Sequence, residues 1–142
     1  MRRIRLRLAA MAVLATASGI TGVALAPAIP AGAVTSCTGT STYTDSLGHG
    51  HAVLIPTIGN NTYRDNCQLG LGNYSSAVYF LQEDLNRCYS AGLKLDGIYG
   101  PRTQTAVENA QFQAGIPDDG IYGPQTRDHI LWYDTFGDCA RL

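Results

Sequence analysis

Two identical stretches decide the fold: Asp96-Gly97-Ile98-Tyr99-Gly100-Pro101 and, 23 residues later, Asp119-Gly120-Ile121-Tyr122-Gly123-Pro124. The correspondence continues downstream, with Thr103 matching Thr126, Val107 matching Ile130, and Ala110 matching Tyr133 with a change of size. A unit this short is one helix plus one turn, and such a unit cannot bury its apolar stripe alone. The two copies must therefore pack on each other and on a third element. Inside the motif, Asp-Gly is a tight-turn pair: the carboxylate accepts backbone amides and the glycine takes positive φ. Ile and Tyr follow as an apolar plug. Gly-Pro then sets the entry to a helix, with proline at the first helical position, where its missing N–H costs nothing.

Working outward, Val78, Leu81, Leu85 and Cys88 recur at intervals of three, four and three, which predicts a helix capped by Asn73 or Ser75 and ended by Gly92. Thr103, Val107, Ala110 and Ala114 repeat those intervals in a second helix, stopped by Gly115 and Pro117. Thr126, Ile130 and Tyr133 mark a shorter third helix ending near 132–136. Upstream, residues 34–74 are rich in Thr, Gly and Asn, with short strands expected at 41–44 and 52–58 and turn chemistry at Asp45-Ser46-Leu47-Gly48 and Gly59-Asn60-Asn61. Pro56 confines the second strand to an edge or a bulge. The expected fold is mainly α: a small three-helix bundle over 75–142, preceded over 34–74 by an extended arm or disulfide-closed β-hairpin.

The start of the chain reads as an export signal. Arg2, Arg3, Arg5 and Arg7 precede an apolar stretch to about Ala26, and Ala31-Gly32-Ala33 supplies the small residues of a cleavage site, placing the signal peptide at 1–33. A membrane anchor fits less well, because Gly19, Gly22 and Pro27 interrupt the stretch before about 20 apolar residues accumulate. The paired arginines also permit a twin-arginine route. The segment Val34-Thr35-Ser36-Cys37 only loosely resembles a lipidation box.

Of ten basic residues, four leave with the signal, so the remaining chain carries six against eleven acidic ones. That sign is wrong for gripping phosphate backbones, and no nucleic-acid partner is expected. Cys37, Cys67, Cys88 and Cys139 make an even count in an exported chain, which reads as two disulfides. Three pairings are open; Cys37 with Cys67 and Cys88 with Cys139 is favoured because each ties a segment to its own neighbourhood. No close Cys-x-x-Cys pair announces a zinc site.

Leu81-Gln82 with Leu85, then the first hexapeptide with Thr103, then Ala106-Val107, Gln111, Gly115, Pro117 and the second hexapeptide with Thr126 resemble the small peptidoglycan-binding domain of bacterial wall enzymes. The resemblance covers about 75–133. It implies a three-helix bundle that carries no chemistry itself and is usually appended to a wall hydrolase. The family commonly places an aromatic immediately before the residue that is Gln111 here. This chain has Ala110 there and Phe112 just after, so either Trp132 or Tyr133 refills the core or Phe112 turns outward.

Murein presents sugar rings, which suit aromatic faces, and stem peptides with free carboxylates, which suit arginine forks. Tyr99, Arg102, Tyr122 and Arg127 lie in the motif loops and the turns after them and are the candidate ligand-binding residues. The structural alternative has both tyrosines plugging the core and both arginines solvated. His49 and His51 are the alternative's raw material for a small metal-dependent wall hydrolase, although nothing in their spacing from Asp45 or Asp65 marks a third ligand. No catalytic constellation and no cofactor is expected. The expectation is a secreted, wall-associated, monomeric module that binds peptidoglycan without cleaving it, with a secreted inhibitor reusing the bundle as a further alternative.

Overall fold

The computed structural model describes residues 34–44 and 52–142. The expected signal peptide, the expected turn at Asp45 to Gly48 and the pair His49 and His51 lie outside the described residues. Strands β1 (Gly39–Thr44) and β2 (Ala52–Thr57) form an antiparallel pair in which Ser41 opposes Ile55 and Thr40 opposes Pro56. With two strands, each is an edge, so Pro56 removes no ladder bond that a neighbour needs. The helices α1 (Ser76–Tyr89), α2 (Pro101–Ala114) and α3 (Pro124–His129) follow, and β3 (Trp132–Tyr133) pairs antiparallel with β4 (Cys139–Ala140).

Local chemistry sets most of these boundaries. Ser75 caps α1 by accepting the Val78 amide through its hydroxyl at 3.3 Å. Ser90, not Gly92, takes the left-handed cap position at the far end, with φ of 54°. Pro101 and Pro124 open α2 and α3, and Gly115 closes α2 in the left-handed conformation. Both disulfides pair as favoured, Cys37 with Cys67 and Cys88 with Cys139.

The mainly α expectation needs correction. Three helices are present, but short antiparallel strands flank them at both ends, and α3 is only six residues long. Its predicted continuation to 132–136 is instead the short strand β3 (Trp132–Tyr133) and the turn that follows it. Ile130 is already extended, the Trp132 indole N–H bonds back to the Arg127 carbonyl at 2.8 Å, and the Tyr133 amide is taken by the Asp84 carboxylate at 3.1 Å. Those tertiary acceptors replace the next turn of helix. The core is shared throughout: Val53 and Ile55 of β2, the Cys37–Cys67 bridge and Leu69 pack with Val78, Leu81 and Leu85 of α1. Trp132 is fully buried and Phe112 is 74 % exposed, so both outcomes foreseen for the missing aromatic occur together.

Asp84, on the buried side of α1, anchors β3 through its bond to the Tyr133 amide. Burial raises its pKa well above the ordinary carboxylate value; the Tyr133 amide and the Arg87 charge pull down, and the Glu83 charge pushes up. A raised folded-state pKa gives stability that is complete below the unfolded carboxylate pKa of about 4 and is lost as pH rises through the folded value. Asp84→Asn keeps the acceptor and removes the charge. Its melting temperature is expected above the parent's at pH 7, with the gap closing toward pH 4. A gap that is absent at pH 7, or that widens on acidification, contradicts this account.

Candidate functional site

Each hexapeptide turn is closed by a buried glutamine that reaches across from the preceding helix. Gln82 of α1 accepts the Asp96 and Gly97 amides at 3.1 and 3.0 Å through Oε1. Through Nε2 it donates to Asp96 Oδ1, the Ile98 carbonyl and Thr103 Oγ1 at 3.1, 3.0 and 3.2 Å. Gln111 of α2 repeats the arrangement. It accepts the Gly120 amide at 2.9 Å and donates to Asp119 Oδ1, the Ile121 carbonyl and Thr126 Oγ1 at 2.9, 3.0 and 2.9 Å. Asp96 and Asp119 each accept an amide two residues on, from Ile98 and Ile121, as the turn chemistry requires. The glutamines belong to the quoted sequence pattern, but their clasping role was missed. The signal that could have found it is the pairing of each Gln with the Asp and Thr of the following motif.

Glycine is obligatory at the second motif position. Gly97 and Gly120 have φ of 71° and 67°, and a Cβ on Gly120 would lie 2.6 Å from Gln104 Cγ. Both turns also pair with the strand-like segment before α1. Leu69 exchanges two 2.9 Å backbone bonds with Tyr122, and Tyr99 donates its amide to the Asn73 carbonyl at 2.8 Å while its own carbonyl accepts the Gly72 amide at 3.0 Å.

These bonds decide the fate of the four candidate residues. Tyr99 and Tyr122 are fully buried, so neither ring has a face to offer a ligand; they plug the core beneath their turns. The Tyr99 hydroxyl donates to the Gly120 carbonyl at 2.9 Å, tying one turn to the other. The buried Tyr122 hydroxyl has no hydrogen-bond partner among the described residues, and its ring meets Trp132 edge-on at 6.0 Å. Burial raises both phenol pKa values. The predicted apolar plug of Ile and Tyr is thus half right: the tyrosines point in, whereas Ile98 and Ile121 are 50 % and 43 % exposed.

Arg127 is a strut. Its guanidinium bonds Asp65 Oδ2 at 2.8 Å and Asp128 Oδ1 at 2.7 Å, and Tyr43 donates its hydroxyl to the same Asp65 oxygen at 3.1 Å. The β1 side of the molecule is thereby pinned to α3. Burial first, and then the Asp65 contact, push the Tyr43 phenol up to about 12.

Arg102 is different. It is exposed on the first turn of α2 and has no ion-pair or hydrogen-bond partner among the described residues. It edges a groove of about 440 Å³ whose walls include Tyr89, Leu93, Pro101, Thr105 and Asn109. The structure therefore separates the four candidates: two core plugs, one structural ion pair and one exposed cation without a partner among the described residues. Among the described residues no three His, Cys, Asp or Glu side chains gather to hold a metal, and no helix is long and apolar enough to cross a membrane.

Comparison with known proteins finds a family match on the segment that carries this geometry. Residues 74–130 match the model described as a putative peptidoglycan binding domain. No curated protein matches the chain. Among solved structures, the chain is similar to the fused Zn-dependent amidase/peptidase/peptidoglycan-binding domain-containing protein of Clostridium acetobutylicum, at 36 % identity over 42 % of this chain and 26 % of that one, with a TM-score of 0.40. It is similar to the SleB N-terminal domain at 33 % identity over 43 % of this chain and 84 % of that one, with a TM-score of 0.41. The peptidoglycan-binding protein of Clostridioides difficile, solved with glutamine hydroxamate, matches at 22 % identity over 61 % of this chain and 53 % of its own, with a TM-score of 0.45. The chain thus spans about a quarter of the length of the amidase/peptidase fusion. The match to the peptidoglycan binding domain model falls on residues 74–130, the segment that holds both clasped turns.

Proposed function

We propose that this is a secreted, wall-associated module that binds bacterial peptidoglycan through the groove at Arg102 and does not cleave it. The observation that carries the reading is the family match of residues 74–130, with both turns of the repeated motif folded as matched clasps. The two disulfides fit an oxidising, extracellular setting. In the groove, Arg102 supplies a forked donor for a stem-peptide carboxylate, Thr105 and Asn109 flank it as hydrogen-bonding groups, and Leu93 and Pro101 give an apolar wall for small side chains. Tyr99, Tyr122 and Arg127 serve by shaping the turns and the strut behind this surface rather than by touching the ligand.

The test is sedimentation of the oxidised protein with purified sacculi. The parent is expected to pellet. Arg102→Ala should weaken retention by about three- to ten-fold, the effect of one exposed charge-assisted contact, with an unchanged melting temperature. Arg127→Ala should do the reverse, lowering the melting temperature by cutting the link to Asp65. A parent protein that stays in the supernatant overturns the function; an Arg102→Ala protein that pellets like the parent overturns the site.

A further inference from the structure

We propose that Tyr74 and Tyr79, with Leu95 and Ile98 beside them, form a sugar-binding platform that takes the pyranose ring of an N-acetylated amino sugar. The proposal deepens the wall-binding function above, on which its biological meaning rests, and it assigns the glycan to a surface separate from the Arg102 groove.

The starting observation is a misplaced aromatic. Tyr74 is 78 % exposed, yet its backbone is clamped on both sides. Asn73 before it accepts the Tyr99 amide at 2.8 Å, Ser75 after it donates to the Gly97 carbonyl at 3.1 Å, and Tyr74 itself bridges Ile98. A large ring held rigidly in water by a backbone that leaves it nothing to bury is a local inconsistency of the kind that binding sites show. Tyr79, one turn into α1, and Leu95 face the same concavity of about 320 Å³, whose floor is Asp96 and Gly97. A Cβ added to Gly97 would stand 3.6 Å from Tyr74 Cε2, so the bare glycine keeps the ring's flank open.

The polar groups nearby choose the occupant. Asp96 commits Oδ1 to Gln82 and Ile98, and the Ile98 amide followed by Gln82 hold its pKa below the ordinary value, so it is a carboxylate at neutral pH. Its Oδ2 has only a loose 3.8 Å contact with the Lys94 ammonium, which is 86 % exposed. A carboxylate oxygen that accepts hydroxyls and an ammonium that donates to an acetamido carbonyl, set beside an aromatic face, match a ring with C–H faces and a polar edge. An apolar helix or a lipid surface would desolvate both charges without pairing them. The second turn offers no counterpart: its concavity has Leu71 and Ile121 but no aromatic. A third, smaller depression shares Asp96 with the platform and Leu93, Pro101 and Arg102 with the groove, so it lies between the places where a sugar and the peptide attached to it would sit.

A peptide-free N-acetylglucosamine tetramer, titrated into the oxidised protein by two-dimensional amide NMR, separates glycan from peptide. The expected result is shifts at residues 74–79 and 95–98. Tyr74→Ala should abolish them and lower sacculus retention about five-fold, as befits one aromatic stacking contact. Tyr74 is exposed, so this variant should keep the parent's melting temperature. No shifts with the tetramer, shifts confined to the Arg102 groove, or a Tyr74→Ala protein that responds like the parent would each overturn the platform. A silent tetramer combined with Arg102-dependent pelleting removes the platform and leaves wall binding standing. Tetramer binding at Tyr74 without any pelleting of the parent supports the platform and removes wall binding.

Discussion

Replacing Cys88 and Cys139 by alanine is expected to lower unfolding free energy by about 4 kcal/mol, the loop-closure estimate for a bridge of this span. The bridge joins residues 51 apart in sequence. It fastens β4 to the last turn of α1, and β4 in turn holds β3, whose Trp132 is fully buried. Without the bridge, the segment after α3 is retained by the Asp84–Tyr133 and Trp132–Arg127 bonds and by apolar contact. Urea unfolding followed by Trp132 emission reads the effect directly, because that is the chain's only tryptophan. The midpoint should fall sharply. A loss below about 1 kcal/mol would mean that those bonds and packing hold the tail without the bridge.

Gln111→Ala is expected to cost about 3 kcal/mol, the combined effect of a lost buried side chain and buried polar groups left unpaired. One carboxamide serves the Gly120 amide, the Ile121 carbonyl, Asp119 and Thr126, and it is 1 % exposed. Water cannot readily replace it, since Gly120 and Thr126 are themselves buried. Gln113→Ala, two residues on and exposed, is the control and should be neutral. Thermal unfolding of the pair checks the claim. A Gln111→Ala protein as stable as Gln113→Ala would show that the turn closes without its clasp.

What could be read from the chain was whatever local chemistry dictates. Gly-Pro at 100–101 and 123–124 announced two helix starts, Asp-Gly announced the turns, and the cysteine pairing followed from neighbourhood. The end of α3 was illegible because Thr126, Ile130 and Tyr133 keep helical spacing, while the groups that redirect the chain lie elsewhere: Asp84 is 49 residues from Tyr133. Arg127 likewise looked free because its partner Asp65 lies 62 residues away. The orientation within the repeated Ile-Tyr pair could not be resolved from two adjacent apolar residues. It is fixed by the Tyr99 hydroxyl finding the Gly120 carbonyl and by the room beside Trp132. Tyr74 escaped notice because an aromatic next to a helix start is ordinary until its surroundings are known.

Leu69, Gly72 and Asn73 are stitched by their backbones to the two turns, and Leu69 follows closely on the half-cystine at Cys67. The family match begins at residue 74, on the far side of those stitches. In this molecule the border drawn by sequence kinship therefore cuts through a seam rather than between parts. Anyone transplanting the module onto another protein has to carry residues 69–73 along with it, because the backing of both loops is woven from that upstream cloth.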